Sequence, residues 1–265
     1  MIAARAIGGI GEIAAGSDLA ALIVSAAGMD GVPEPGDVIV VAHKAVSKAE
    51  GRTRRLADVT ASAQAQALAA TVEKDPRLVQ VVLDESTRVV RAVPGVLIVQ
   101  THHGFVCANA GVDASNVLGD GATDGNSGTD NDSDSDTVLL LPTDPDRSAR
   151  ALRARVRALT GVAPAVVITD SFGRAWRTGQ CDVAIGVAGL DPIEDWRGAH
   201  DHNGRELRAT VIAVADQLAA TADLARRKDS YEPAVLISGA QRHVTDADGP
   251  GVGPLIRDAA HDLFR

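Results

Sequence analysis

The sequence predicts an α+β fold, and three observations carry that expectation. Short apolar runs rich in β-branched residues, GDVIVVA (36–42), APAVVITD (163–170), DVAIGVAG (182–189) and PAVLISG (233–239), read as buried strands. Capped segments with helical spacing lie among them, but strands and helices do not alternate as a doubly wound parallel sheet requires. The 265 residues are enough for one large unit, or two small intertwined ones, with a sizeable core of Ala, Val, Leu and Ile.

Taken in order, residues 17–28 read as a helix capped by Ser17 or Asp18 and stopped by Gly28. The strand 36–42 follows a Pro/Gly turn. Two helices, 60–74 and 76–86, are expected to break at Asp75-Pro76, because proline suits the first turn of the second. Residues 88–113 alternate β-branched runs with Pro-Gly and His-His-Gly turns and read as a meander. Helix 144–161 has Asp144 as cap, Pro145 in its first turn and Gly161 as its end. Residues 206–227 read as a strand merging into a helix, and 253–263 as a terminal helix.

One segment stands apart. Residues 119–136 (GDGATDGNSGTDNDSDSD) offer almost nothing apolar to offset their ordering entropy, so they are expected to form a disordered acidic surface loop. They are not an EF-hand: counted from Asp130, the places of the required Gly and carboxylate hold Ser135 and Leu141.

Composition narrows the function. A formal net charge of −9 and 2% aromatic content speak against a nucleic-acid binder, which needs basic surface or exposed rings. No apolar run reaches the roughly 20 residues of a membrane span, and the start shows no secretory pattern, so a soluble cytoplasmic protein is expected. Cys107 and Cys181 form no CxxC and read as reduced, buried thiols. Lysine occurs only at 44, 48, 74 and 228, so the pair Lys44 and Lys48 in VVAHKAVSKAEGR is conspicuous. On one helix they would share a face and repel unless an anion sat between them; the alternative is two solvated lysines.

The chemistry-bearing residues gather where apolar runs end. NAGVDASN (109–116) supplies Asp113 and Asn116, and by itself reads as a turn with Asx hydrogen bonds. ITDSFGR (168–174) ends an apolar strand in Asp170-Ser171 and continues to Arg174, with Arg177 beyond. Hard divalent ions take carboxylate and hydroxyl oxygens beside phosphate, and guanidinium groups clamp phosphate or carboxylate. The Gly-rich stretch 8–16 matches neither phosphate-loop pattern, though it would let backbone approach a ligand. His102-His103 and the pair His200 and His202 read as turn and loop residues. Residues alone thus give an α+β protein with a Mg²⁺ or Mn²⁺ phosphate site, for which a phosphohydrolase would serve as well as any other activity.

Longer motifs go further. GDVIVVAHKAVSKAEGR, HGFVCANAGVDASNV, VLLLPTDPDRSARALR, VVITDSFGRAWRTGQCDVAIGVAGLDPIEDWRG and NGRELRATVIAVADQLAATADL occur together and in order. In this the chain resembles the coenzyme F420-0:L-glutamate ligase (F420 γ-glutamyl ligase) family from about residue 6 to the closing DLFR. The resemblance implies one family unit over 1–265, built of two intertwined α+β subdomains with mixed β-sheets, in a homodimer. It implies that GTP phosphorylates the phospholactyl carboxylate of F420-0 and that the amine of L-glutamate displaces phosphate, with further γ-linked additions as an extension. Two divalent ions, Mn²⁺ or Mg²⁺, are implied, with K⁺ as an optional third.

Carried over by motif, Asp113 and Asp170 match ligands of the first metal and Ser171 a ligand of the second. Ile10, Gly11, Glu12 and Ile13, with His43, Lys44, Lys48 and Asn116, match nucleotide contacts. Lys48 is the expected catalytic lysine, joined by Arg174 and Arg177 as candidates for phosphate or carboxylate. The chain departs from the family at LARRKDSYEP (224–233), where Arg226 and Arg227 stand in a region that carries a Met-Gly pair in relatives. An arginine beside a dication is repelled, so Arg227 is expected to turn toward phosphate. The alternatives are a relative that binds without ligating, and a ligase for another phosphorylated carboxylic acid.

Overall fold

The computed structural model describes residues 1–28, 31–114, 136–227 and 229–262. The chain divides into two compact units, Met1–Val46 with Thr143–Arg265, and Ser47–Pro142. Helices and sheets make up both, as the α+β expectation requires, and the large sheet of the first unit is mixed. Among the described residues no helix is long and apolar enough to cross a membrane.

The first unit is built on a five-stranded sheet. Its strands are β1 (Ala3–Ile7), β2 (Val38–Ala42), β8 (Ala165–Arg174), β9 (Arg177–Ala188) and β12 (Ala234–Ser238), in the order β1-β12-β2-β8-β9. All pairs are antiparallel except β2–β8, which runs parallel. A strand covered on both faces reads as a continuous apolar run, and VIVV of β2 and AVVIT of β8 are buried throughout. Parallel strands need a long crossover, and this one contains the whole second unit followed by helix α5 (Pro145–Thr160). Asp144 caps α5 by accepting from the Arg147 amide, and Gly161 closes it in the left-handed region. Helix α1 (Leu19–Ala27), capped by Asp18, packs on α5, while α6 (Val214–Ala225) contacts all five strands.

Strand β9 is the sheet edge, and its outward amides are met by carboxylates from two helix starts. Asp146, in the first turn of α5, accepts from Val187 N at 2.8 Å and from Val252 N at 3.0 Å. Asp216, in the first turn of α6, accepts from Ala184 N at 2.9 Å. Between them the register skips Ile185, a bulge that frees this edge from regular pairing. The approach is close enough that a Cβ on Gly186 would come within 2.4 Å of the Pro145 carbonyl oxygen.

The second unit holds α3 (Ala63–Val72), α4 (Pro76–Asp84), the antiparallel sheet β4 (Ser86–Val93), β5 (Val96–Thr101) and β6 (Val106–Ala108), and the pair β3 (Thr53–Arg55) and β7 (Thr137–Leu139). Ser62 and Asp75 cap the two helices, and Leu56, Val72, Val79, Val82, Leu97 and Val99 form part of their shared core. Helix α2 (His43–Ala49) begins in the first unit and ends in the second.

Several expectations need correction. Asp170 and Ser171 do not end their strand: β8 runs on to Arg174 and β9 begins at Arg177, so the polar stretch is a hairpin. The expected terminal helix is two 3-10 turns, Gly253–Leu255 and Ala259–His261; Pro254 and the flanking glycines favour turns over a continuous helix. Only Val211–Ile212, β11, is strand ahead of α6, paired with β10 (Glu194–Asp195). Cys107 is buried, but Cys181 is only partly covered. Most of the expected acidic loop, 119–135, lies outside the described residues.

Burial holds the Asp146 carboxyl above the usual carboxylate range, against the pull of its two backbone donors. A carboxyl raised in the folded state favours folding below its unfolded pKa and loses that contribution as pH rises through its folded value. Asp146→Asn keeps an acceptor without the charge, so it should gain stability relative to wild type as pH climbs from about 4 toward neutrality. Urea midpoints across that range measure this, and a difference that does not vary with pH would rule it out. Asp146→Ala should instead lose about 1–3 kcal/mol for each stranded amide.

Candidate active site

Sheet register builds the first half of the site. Ala42 of β2 pairs with Thr169 of β8, so the next residue of each chain, His43 and Asp170, come side by side as β2 turns into α2. His43 Nε2 lies 3.2 Å from Asp170 Oδ1, and the Ser171 amide donates to the same oxygen at 2.8 Å. Asp170 Oδ2 has no hydrogen-bond partner among the described residues, in a side chain 15% exposed. His43 is only 3% exposed, and its Nδ1 is buried without a partner. The histidine thus orients Asp170 through one oxygen and leaves the other for a ligand.

Successive side chains of a strand project to opposite faces, so Ser171 enters a different cluster from Asp170. Its partner is Asp182, which stands opposite it on β9 and is 1% exposed. Ser171 Oγ donates to Asp182 Oδ1 at 2.6 Å and Thr169 Oγ1 to Oδ2 at 2.8 Å. Arg226, just past the end of α6, completes the cluster: its Nη2 pairs with Asp182 Oδ2 and donates to Thr169 Oγ1 at 3.0 Å. A buried carboxylate is tolerable only when paired and hydrogen-bonded, and Asp182 is both. The Arg226 charge is therefore matched within the protein. Arg227 does not turn toward this cluster; it pairs with Asp229 at 3.0 Å on exposed surface.

The remaining expected residues are placed as follows. Lys44 and Lys48 are exposed on α2, one turn apart. Ile10, Gly11, Glu12 and Ile13 lie in the irregular segment between β1 and α1, with Gly11 and Glu12 exposed. Arg174 and Arg177 pair near the tip of the β8–β9 hairpin, where Arg174 donates to the Thr178 carbonyl at 3.0 Å. That puts Arg174 four residues, roughly 13 Å, along the strand from Asp170.

Asp113 belongs to the second unit, where its backbone bridges Leu139 through two hydrogen bonds of 2.9 and 3.0 Å. The turn before it is strained: Asn109, Ala110 and Gly111 have φ of 52°, 55° and 70°. Lys74 holds that turn by donating to Asn109 Oδ1 at 3.1 Å, and burial lowers the lysine's pKa. Asn116 lies outside the described residues.

Among the described residues no three His, Cys, Asp or Glu side chains gather into a metal cage. The donor the geometry leaves for a ligand, Asp170 Oδ2, is a hard oxygen. Such an oxygen suits Mg²⁺ or Mn²⁺ bound together with substrate phosphate and water.

The model of the F420-0:Gamma-glutamyl ligase family matches residues 9–239. The chain belongs to that family. Three relatives named coenzyme F420:L-glutamate ligase are each 41% identical to it. That of Methanopyrus kandleri matches over 96% of this chain and 94% of its own length, and that of Methanothermobacter thermautotrophicus over 97% and 96%. That of Haloarcula marismortui matches over 98% and 94%. The matched span 9–239 includes every cation and nucleotide candidate above, Asn116 among them.

Sequence reasoning missed Asp182 and Thr169 as members of the cluster. A signal existed, since an Asp at the head of the apolar run DVAIGVAG has no reason to face solvent inside a sheet. Only the β8–β9 register says which residue it meets.

Replacing Arg226 with Met should leave Asp182 as an uncompensated buried charge and lower stability by about 3–5 kcal/mol in urea titrations. A loss under 1 kcal/mol would mean that Asp182 does not depend on this arginine. At Gly111 a Cβ would sit 2.8 Å from the Leu141 side chain at a φ of +70°. Gly111→Ala is therefore expected to lower stability by about 1–3 kcal/mol, and an unchanged melting temperature would exclude the strain.

Proposed function

We propose that the chain is a GTP-dependent ligase that joins L-glutamate by an amide bond to the phospholactyl carboxylate of coenzyme F420-0. The observation that carries this is the near full-length match to relatives named coenzyme F420:L-glutamate ligase. The geometry supports it through Asp170, which engages His43 and Ser171 N with one oxygen and keeps the other for a ligand.

Phosphoryl transfer to a carboxylate demands charge neutralisation and in-line positioning more than covalent help. We assign cation binding to Asp170 and Ser171 in the first unit and, on its motif, to Asp113 in the second. Divalent ions bound there would neutralise the phosphoryl oxygens. Lys44 and Lys48, one turn apart on α2, would bind the phosphate chain as fixed positive charges, since an anion between them removes their repulsion. The backbone of residues 10–13, free of regular pairing, would follow the nucleotide. His43 would keep Asp170 oriented through the step. The carboxylate would take the γ-phosphoryl group with GDP leaving, and the amine of L-glutamate would then displace phosphate from the acyl phosphate, its proton passing to solvent. Arg174 and Arg177 are carried as contacts for a carboxylate or phosphate; an Arg→Gln variant at either position with the full rate removes it from the scheme.

The test is mass spectrometry of a reaction containing the protein, F420-0, L-glutamate, GTP and Mn²⁺. Products heavier by one or more glutamyl residues are expected, and Asp170→Asn should reduce them at least 100-fold. Absence of product from the folded wild type would overturn the proposal, and product formed equally well by Asp170→Asn would overturn the assigned site.

A further inference from the structure

We propose that the tip of the β8–β9 hairpin binds the ring end of the acceptor, with Trp176 stacking on the planar deazaflavin of F420-0 and Arg174 and Arg177 beside it; this rests on the ligase reading above. The hairpin outruns its sheet. β2 pairs with β8 only as far as Thr169, and residues 173–180 are exposed along the ribbon that continues. At its turn, between the paired Arg174 and Arg177, Trp176 is 85% exposed and has a φ of 66°. A bulky side chain in the left-handed region is strained, and glycine or asparagine would hold such a turn more stably. Packing does not explain an indole at that place. A planar aromatic ligand does.

The ribbon also has the reach and the order of groups that the acceptor requires. Asp170, Phe172 and Arg174 occupy alternate positions of β8 and share a face, and Cys181 stands opposite Phe172. From Asp170 outward, this face offers the carboxylate, then the half-buried Phe172 and Cys181, then Arg174 and the indole at the turn. Arg174 is roughly 13 Å along the strand from Asp170. F420-0 runs in a matching order: the lactyl carboxylate where ligation occurs, then phosphate, ribityl chain and ring. About ten bonds separate its carboxyl carbon from the ring, and an extended chain gains about 1.3 Å per bond, so the span is roughly 13 Å. With the carboxylate at a cation held by Asp170, the ring reaches the tip. There the indole offers a stacking face, while guanidinium groups lie against aromatic rings and donate to carbonyl oxygens at their edges.

The experiment is calorimetric titration of the full chain with F420-0 in the presence of Mn²⁺ and GDP, so that no phosphoryl transfer occurs. The proteins are wild type, Trp176→Ala, Trp176→Asn and Trp176→Phe. Trp176→Ala and Trp176→Asn should weaken F420-0 binding about 5- to 100-fold, the range for one lost aromatic stack. Trp176→Phe keeps a ring and should stay within about threefold of wild type. Affinity for GDP with Mn²⁺ should be the same in all four. Trp176→Asn should melt at or above the wild-type temperature, because asparagine relieves the turn. Unchanged F420-0 affinity in the folded Trp176→Ala and Trp176→Asn variants would overturn the inference and leave the ligase reading standing; the indole would then be a contact between copies of the chain. A Trp176→Asn variant that melts well below wild type would show a structural role for the indole and overturn it as well. Wild type that binds no F420-0 would overturn the ligase reading and this inference with it.

Discussion

The parallel pairing of β2 with β8 is the constraint on which the first unit rests. Both strands are apolar and covered on both faces, so the sheet is held at its centre by burial. Their register is fixed because a slip of one residue would reverse the faces of every side chain in the pair. Where the apolar runs end, the same register delivers His43 to Asp170 with no further device. The polar groups at the ends of these runs are therefore placed by the packing behind them.

The second pairing, β8 with β9, adds what a parallel pair cannot. An antiparallel partner sets a side chain directly opposite each site residue on the same face, and opposite Ser171 it sets a carboxylate. A carboxylate inside a sheet calls for a cation, which comes from Arg226 at the point where α6 stops and the chain turns to β12. The stop of α6 is thus part of the cluster. The arginine that looked out of place beside a dication is the group that neutralises its neighbour.

Much of the fold was legible in the sequence. The strands of VIVVA and AVLIS, the helices capped at Asp18, Ser62, Asp75 and Asp144, and the three-stranded meander each carry a local signal strong enough to read alone. What escaped has a physical reason. β1 has an exposed Arg5 and small residues and owes its strand state to pairing with β12, while β3 and β7 have three residues each and exist through one another. The continuation of β8 past Asp170 was hidden because its last residues face solvent on a hairpin and bear no apolar run. Of the site, Asp170 and Ser171 were legible as residue types suited to a cation. Asp182 was not, because its role is a matter of register. The nucleotide contacts came from resemblance to a family, since no spacing in residues 8–16 reveals them.

Asp170 and Ser171 show why adjacency in sequence and adjacency in chemistry differ. The strand alternation sends them to opposite faces, and each meets its own support: a histidine for the carboxylate, a carboxylate for the hydroxyl. The two supports work in opposite directions. His43 faces an acceptor and occupies one of its two oxygens. Asp182 accepts from a donor and engages its hydroxyl hydrogen. Which support each residue meets is decided by strand alternation and by the two registers of β8, with β2 on one side and β9 on the other.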